Sequence, residues 1–355
     1  MKGRLVRIIA IILCIVGSVV MNGVVAQENT GNCSTEVAYL SEIDGVHNLY
    51  LMNADGTAPR LFGENISDYQ WSPDGARIAV STIDAETRVS LIQIIDFEST
   101  SVYQISGGQV EVFNPRWSPN GTQLAFNSGV DEHLQIFIAD ANGGNIQQLT
   151  TDAVDHFIGD WSPDGTQIAT TVFDDSGSRL GVIDVNNGSL TYVAEATLTA
   201  NVVIEFMSWT PDSSAILFNS NLSSGSDLQL HMVFTDNSVV RRLFAQQAFG
   251  IEWSSDDTRF LYTSRNLDNT NANLFMMDWR TGEVSLLNQS FTIEHDSLFT
   301  GSWSVDNTQI VFERLNNGNY DLFVMAVDGS TIRQVTDTPA NEVNPQWRPC
   351  VENPA

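Results

Sequence analysis

Lysine is all but missing from this sequence: Lys2 is the only one in 355 residues. With arginine it makes 16 cations against 43 carboxylates, a formal net charge of −27. Such a surface does not neutralise phosphates, which excludes nucleic-acid binding as the default. Docking on anionic lipid is disfavoured for the same reason. Cysteine is nearly as scarce, at Cys14, Cys33 and Cys350 alone. The signatures of catalysis are absent too. There is no Gly-x-Ser-x-Gly elbow, and no His-Glu-x-x-His, Cys-x-x-Cys or phosphate-cradling glycine loop. His47, His133, His156, His231 and His295 are dispersed, so no ligand pair is visible. The residues alone lead us to expect no cofactor and no metal.

Long apolar runs are confined to the N-terminus. Lys2, Arg4 and Arg7 precede an apolar stretch from Ile8 to about Val25, and Val24-Val25-Ala26 leads into Gln27. This reads as a secretory signal peptide over residues 1–26, with 27–355 as the mature protein. An uncleaved anchor is the alternative, because the stretch approaches the roughly 20 residues that span a bilayer. Gly17, Ser18, Asn22 and Gly23 weaken that alternative. No small residue precedes Cys14, which argues against its lipidation. The expected setting is periplasmic, extracellular or associated with the cell envelope. There, Cys33 and Cys350 are read as a disulfide pair.

Against this sparseness stands a repeat. Trp71, Trp117, Trp161, Trp209, Trp253, Trp303 and Trp347 lie 44 to 50 residues apart. Each through Trp303 opens a tight turn and then three apolar runs separated by polar breaks. From Trp117 the series is Ser118-Pro119-Asn120-Gly121, Gln123 to Phe126, Leu134 to Ile138, Asn142-Gly143-Gly144 and Ile146 to Leu149. Several short strands in a repeat of this length are the pattern of a β-propeller. Middle runs such as Leu91 to Ile95 are apolar on both faces, as a blade between two blades requires. Ser72-Pro73-Asp74-Gly75 and Ser162-Pro163-Asp164-Gly165 follow type I turn preferences. The copies at 210–213, 254–257 and 304–307 lose Gly and in two cases Pro, which reads as decay of the turn.

The ends complete one another. Trp347 opens a seventh unit that stops, while the stretch before Trp71 supplies three strands: Val37 to Leu40, Asn48 to Met52 and Arg60 to Phe62. The expectation is an all-β chain, a single propeller of seven four-stranded blades closed by pairing of the two ends, with six blades as the alternative. Closure places Cys33 and Cys350 at the same seam.

The Trp-Ser-Pro-Asp-Gly element and the Ile-Ala-type strand after it resemble the PD40, or WD40-like, repeat of TolB-type propellers. Trp71 to Ser81, Trp117 to Ser128 and Trp161 to Thr171 carry the resemblance. Asn114-Pro115-Arg116-Trp117 and Asn344-Pro345-Gln346-Trp347 resemble the family's lead-in to that strand. The resemblance covers residues 35–350 and implies a fold more than a chemistry, since such propellers serve as binding scaffolds, enzyme platforms and accessory domains. TolB proteins also carry an N-terminal α/β domain, for which this chain has no room, and have six blades. Prolyl oligopeptidase-type enzymes join a similar propeller to a hydrolase domain that is absent here.

Links between blades emerge on one face of a propeller, and here they carry acids: Glu64 and Asp68, Glu111, Asp155 and Asp160, Glu205, Glu252, Asp296 and Glu342. We therefore expect a binding face at the channel mouth made by Glu111, Asp155, His156, Glu205, Asp296 and Glu342, with no catalytic residue. The favoured function is an exported, monomeric, non-catalytic propeller holding a protein, peptide or glycan partner of cationic character. One alternative is a polysaccharide lyase or hydrolase with a metal at the channel mouth, using His156 or His295. The other is a membrane-tethered structural module.

Overall fold

A computed structural model of the chain describes residues 35–83, 90–106, 111–174, 177–193, 203–221, 228–236, 239–265, 272–287 and 301–350. Every regular element among them is a β-strand. The strands form the seven antiparallel blades of a propeller. Blade 1 is the expected composite. From the axis outward it runs Asn341–Trp347, Glu36–Ile43, Val46–Asn53 and Arg60–Glu64. Its closing register sets Val37 against Trp347 and Glu42 against Asn341. Blades 2, 3, 4 and 7 follow chain order from inner strands Ile66–Trp71, Val112–Trp117, Asp155–Trp161 and Ser302–Trp303.

Blades 5 and 6 differ from the expected four separate strands each. A single 14-residue strand, Val240–Trp253, is the outer strand of blade 5 and then the inner strand of blade 6. The segment holds no proline to break its ladder. Gly250, at φ 61°, and a bulge between Phe249 and Glu252 redirect it instead. Left-handed residues recur at this place on inner strands: Asn114 has φ 57° and Asn344 φ 52°. Asparagine tolerates that region, which explains the Asn-Pro lead-in.

The tight turns do not decay. Thr210, Ser254 and Ser304 donate to Asp212, Asp256 and Asp306 at 2.7, 2.6 and 2.6 Å, as Ser72 does to Asp74 at 2.5 Å. Ser213, Asp257 and Asn307 take the left-handed conformation of the missing glycine, at φ 60°, 58° and 55°. Glycine is required for space at Gly75, where a Cβ would fall 2.0 Å from the Pro349 carbonyl oxygen.

The apolar core lies between blades rather than within them. Ile92 and Ile94 of blade 2 pack with Trp117, Leu124 and Phe126 of blade 3. A bond repeats at these joints. The indole N–H of Trp117, Trp161, Trp209 and Trp303 donates to the carbonyl of Gln70, Arg116, Asp160 and Glu252 at 3.2, 3.1, 3.1 and 3.0 Å. Each acceptor directly precedes the previous blade's tryptophan. Trp253 reaches the Ser208 hydroxyl at the same place, at 3.2 Å. Among the described residues, Trp71 and Trp347 alone of the seven have no partner for this N–H.

The joints around blade 1 hold differently. Buried Glu36 takes Arg348 Nη1 at 2.9 Å and Arg60 Nη2 at 2.6 Å. Arg348 also donates to the Gly75 carbonyl at 2.8 Å and lies over the rings of Trp71 and Phe97. The Tyr69 hydroxyl sits 2.5 Å from the Asn344 carbonyl oxygen and 2.9 Å from that of Ala38. Arg333 of blade 7 donates to the carbonyls of Asp55 and Ala54 at 2.6 and 3.1 Å. Cys350 is disulfide-bonded; Cys33 lies outside the described residues.

Candidate functional site: two end faces and a channel

Inner strands run toward their tryptophan, so each end of the ring has its own content. One end carries the interblade links. The other carries the tight turns after tryptophan and the turns between third and fourth strands.

The six residues expected at the link end do not share one environment. Glu111 is exposed. Asp155 accepts the Leu134 N–H at 2.9 Å and lies 3.4 Å from His133 Nδ1. His156 is fully buried, with Nε2 2.5 Å from Asp152 Oδ1. Glu342 is buried and accepts the Thr338 hydroxyl. Burial raises its pKa, against the bond from Thr338 and the neighbouring Thr336 hydroxyl. The Glu205 side chain, and Asp296 and His295 entirely, lie outside the described residues. Inner strands begin at Asp155 and Asn341, several residues ahead of the tryptophan, so His156 and Glu342 stand inside blade joints.

A second set of charges lines the axis. Asp68, Arg116, Asp160 and Glu252 lie on inner strands, and Glu313 on Gln309–Asn316 of blade 7. All five are deeply enclosed by blades yet keep partial exposure, the situation of side chains on a channel wall. Arg116 Nη1 lies 3.6 Å from Asp68 Oδ2. Burial raises Asp68 and pushes Asp160 up to about 6, with Arg116 opposing both. Burial and the charge of Asp160 push Glu252 up to about 8. Burial takes Glu313 to about 7, against a bond from the Asn344 N–H. Near neutral pH, Glu252 therefore keeps its proton. The clue in the sequence was position: Arg116 and Asp160 directly precede buried tryptophans and Glu252 a half-buried one, and alternation along a strand turns them to the opposite side.

The turn end collects permanent anions. Asp212 Oδ1 accepts the Thr210 hydroxyl, the Ser214 N–H and the Ser214 hydroxyl at 2.7, 3.1 and 2.8 Å. These bonds hold its carboxyl below the usual range, as Ser304 and Thr308 do for Asp306. At Asp164 and Asp256, burial pushes the other way but the same bonds outweigh it. In the neighbouring turns, Thr57 lowers Asp55 and Ser330 lowers Asp328. All six are exposed. Among the described residues, no three His, Cys, Asp or Glu side chains converge as metal ligands would.

A family profile described as the TolB beta propeller domain matches residues 28–193. The seven-bladed ring thus resembles TolB-type propellers, with the family match confined to residues 28–193. An uncharacterized protein of Agrobacterium fabrum (strain C58) is 30% identical over 97 residues, which are 27% of this chain. The match spans only 32% of that relative's length. TolB from Acinetobacter baumannii superposes with a TM-score of 0.56 at 17% identity, covering 89% of this chain and 83% of that one. An oligogalacturonate lyase in complex with manganese gives 0.58 at 14% identity, covering 85% of each chain. At such identities the likeness is one of fold alone.

Proposed function

We propose that this TolB-type propeller is an exported, non-catalytic binding protein that takes a cationic protein or peptide on the turn end of its ring. The observation that carries the reading is the set of exposed aspartates, each kept ionised by its own turn. A basic partner meets a fixed negative charge in most blades, which favours encounter more than raw affinity. Exposed charges are screened beyond about 8–10 Å at physiological ionic strength, so binding weakens as salt rises. His156 and Glu342 cannot touch a partner without opening a joint, which moves the weight away from the link end. Export is supported by the basic-then-apolar segment at 1–26, and an oxidising compartment by the bonded Cys350. Cys33 is the partner we assign to it.

The test is a variant with Asp164, Asp212, Asp256 and Asp306 changed to Asn, compared with Glu111→Gln. Asparagine keeps the turn, because Asn120 already accepts the Ser118 hydroxyl, the Thr122 N–H and the Thr122 hydroxyl at 2.8, 3.0 and 2.7 Å. The fourfold variant should lose salt-sensitive binding of an oligolysine peptide while its melting temperature holds. Unchanged binding would reduce the turn end to a solvated surface. A polysaccharide-acting enzyme is the second reading, favoured by the fold likeness to the lyase. Release of unsaturated product from oligogalacturonate, with manganese added, would establish it.

A further inference from the structure

Two buried acids meet where the closing strand passes blade 7. Glu342 lies on Asn341–Trp347 and Asp321 on Asn319–Ala326, and each is only 1% exposed. Asp321 Oδ2 accepts Asn316 Nδ2 at 2.8 Å and Gln334 Nε2 at 3.0 Å. Glu342 Oε1 accepts the Thr338 hydroxyl. The remaining oxygens, Asp321 Oδ1 and Glu342 Oε2, have no donor. The strands that carry them pack together; two dry carboxylates facing one another repel, and each orphan acceptor carries a desolvation cost. One proton between them removes both penalties.

The joint between blades 3 and 4 is built on the same frame. The Ile136 N–H donates to Thr150 Oγ1 at 2.9 Å as the Leu322 N–H does to Thr336 Oγ1 at 2.8 Å. The Leu134 N–H donates to Asp155 Oδ1 at 2.9 Å as the Tyr320 N–H does to Asn341 Oδ1 at 3.1 Å. Gln135 and His156 therefore occupy the places of Asp321 and Glu342. The orphan atoms there are Gln135 Oε1 and His156 Nδ1, an acceptor and a site that can bear hydrogen. There an amide and an imidazole stand where the closing joint sets two carboxyls against each other.

We propose that Asp321 and Glu342 share one proton across the closing joint, forming a latch that is fastened in acid and loosened as pH rises. The raised pKa of Glu342, to which the Asp321 carboxyl contributes, agrees with this pairing. Among the described residues, no other charged or titratable neighbour supplies a cation to Glu342. Tyr39 on Glu36–Ile43 is itself pushed up by burial and by Glu342, and Glu42 on the same strand binds Asn341 Nδ2 at 2.9 Å. Glu313 on the second strand of blade 7 binds the Asn344 N–H at 2.8 Å, and Arg314 stands opposite Asp321 with its guanidinium over Phe323. A metal ion is disfavoured because no third ligand of the His, Cys, Asp or Glu type converges among the described residues.

The sign follows from the upward shift. The stabilisation is complete below the ordinary carboxyl value of 4.5 and is lost as pH rises from there through the folded value. Glu342→Gln and Asp321→Asn replace the shared proton by an amide N–H that does not titrate. Melting followed from pH 4.5 to 8 should show the wild type losing ground to both variants, by up to about tenfold in the unfolding constant per pH unit of the titration. Parallel curves for all three proteins would overturn the proposal. A rise in wild-type melting at pH 8 on adding calcium or manganese, absent in Glu342→Gln, would also overturn it by revealing an ion in place of the proton. Hydrogen exchange in the wild type decides the matter even if a variant fails to fold. After correction for intrinsic rates, protection of residues 341–343 should fall with pH while that of residues 123–130, which carry no titratable side chain, does not, and equal behaviour of the two segments would refute the latch.

Discussion

Five joints of this ring repeat one bond, and the two that flank blade 1 do without it. At the five, an indole N–H reaches the residue before the previous tryptophan. At the two, Trp71 and Trp347 leave that N–H unpaired, and arginines, a buried glutamate and a tyrosine hydroxyl hold the blades instead. The contrast coincides with the one blade whose inner pair of strands the chain does not connect. Inside the other blades, consecutive strands follow one another along the chain and loop closure is cheap. In blade 1 the inner strand and its neighbour come from opposite ends of the sequence, so the contact must be held by its own bonds. The buried ion cluster and the bonded Cys350 gather where the chain supplies no connection.

Removing the closing strand should therefore have the largest effect. Deletion of residues 343–355 strips Glu36–Ile43 of its inner partner and leaves an open sheet edge. The expected outcome is loss of a single cooperative urea transition. A truncated chain that still unfolds in one sharp step would show that the seam is no more important than any other joint.

Next is the Cys33–Cys350 bond that we assign. Its closed loop spans residues 33–350, for which the chain-entropy treatment gives about 5–6 kcal/mol, with native disulfides in small secreted domains contributing roughly 2–5. Cys33→Ser with Cys350→Ser should lower stability within that range. Peptide mapping without reductant should recover the linked pair, and full alkylation of both thiols before reduction would contradict it.

The buried ion cluster ranks third. Breaking a buried pair costs about 3–5 kcal/mol at the dry limit. Arg60 is half open to solvent, so Arg348→Ala should approach that limit more closely than Arg60→Ala. Burial pushes Glu36 up, but Arg60 and Arg348 outweigh it and its pKa is lowered. Its contribution is thus present above the ordinary value of 4.5 and lost as pH falls through the folded value. Glu36→Gln should flatten the acid limb of the stability profile. An acid limb identical to wild type would remove Glu36 from the seam.

Much of this architecture was legible because it rides on residues that recur. Tryptophan spacing and the composite blade both rest on the repeat, and periodicity survives when single residues drift. The turns were misjudged because proline and glycine were taken as the requirement. What persists from blade to blade is a hydroxyl two residues before an aspartate or, at Asn120, an asparagine, which supplies the bonds. The joint after blade 5 was missed because no residue marks it; the strand simply continues. The link residues were harder still. His156 and Glu342 look like loop residues when counted from the tryptophan, yet the strand has already begun. Which side of a bulged strand faces a neighbour depends on where the bulge falls, and single residue types do not reveal that.

The smallest expected effect isolates the repeated bond itself. Trp117→Phe removes an indole N–H that donates to Gln70 at 3.2 Å, and Trp71→Phe removes one that donates to nothing among the described residues. Both changes lose similar ring area, and both rings lie under an arginine: Arg77 at 5.0 Å over Trp117, Arg348 at 5.4 Å over Trp71. Packing and cation–π losses therefore largely cancel in the difference. What remains is one hydrogen bond, about 0.5–1.5 kcal/mol, set against relief of an unsatisfied buried donor at Trp71. Trp117→Phe should be the more destabilising by about 1 kcal/mol or somewhat more in urea titration. Equal losses would mean that the indole bonds do not hold the joints, and that the seam differs from the other joints only in its ion pairs and disulfide.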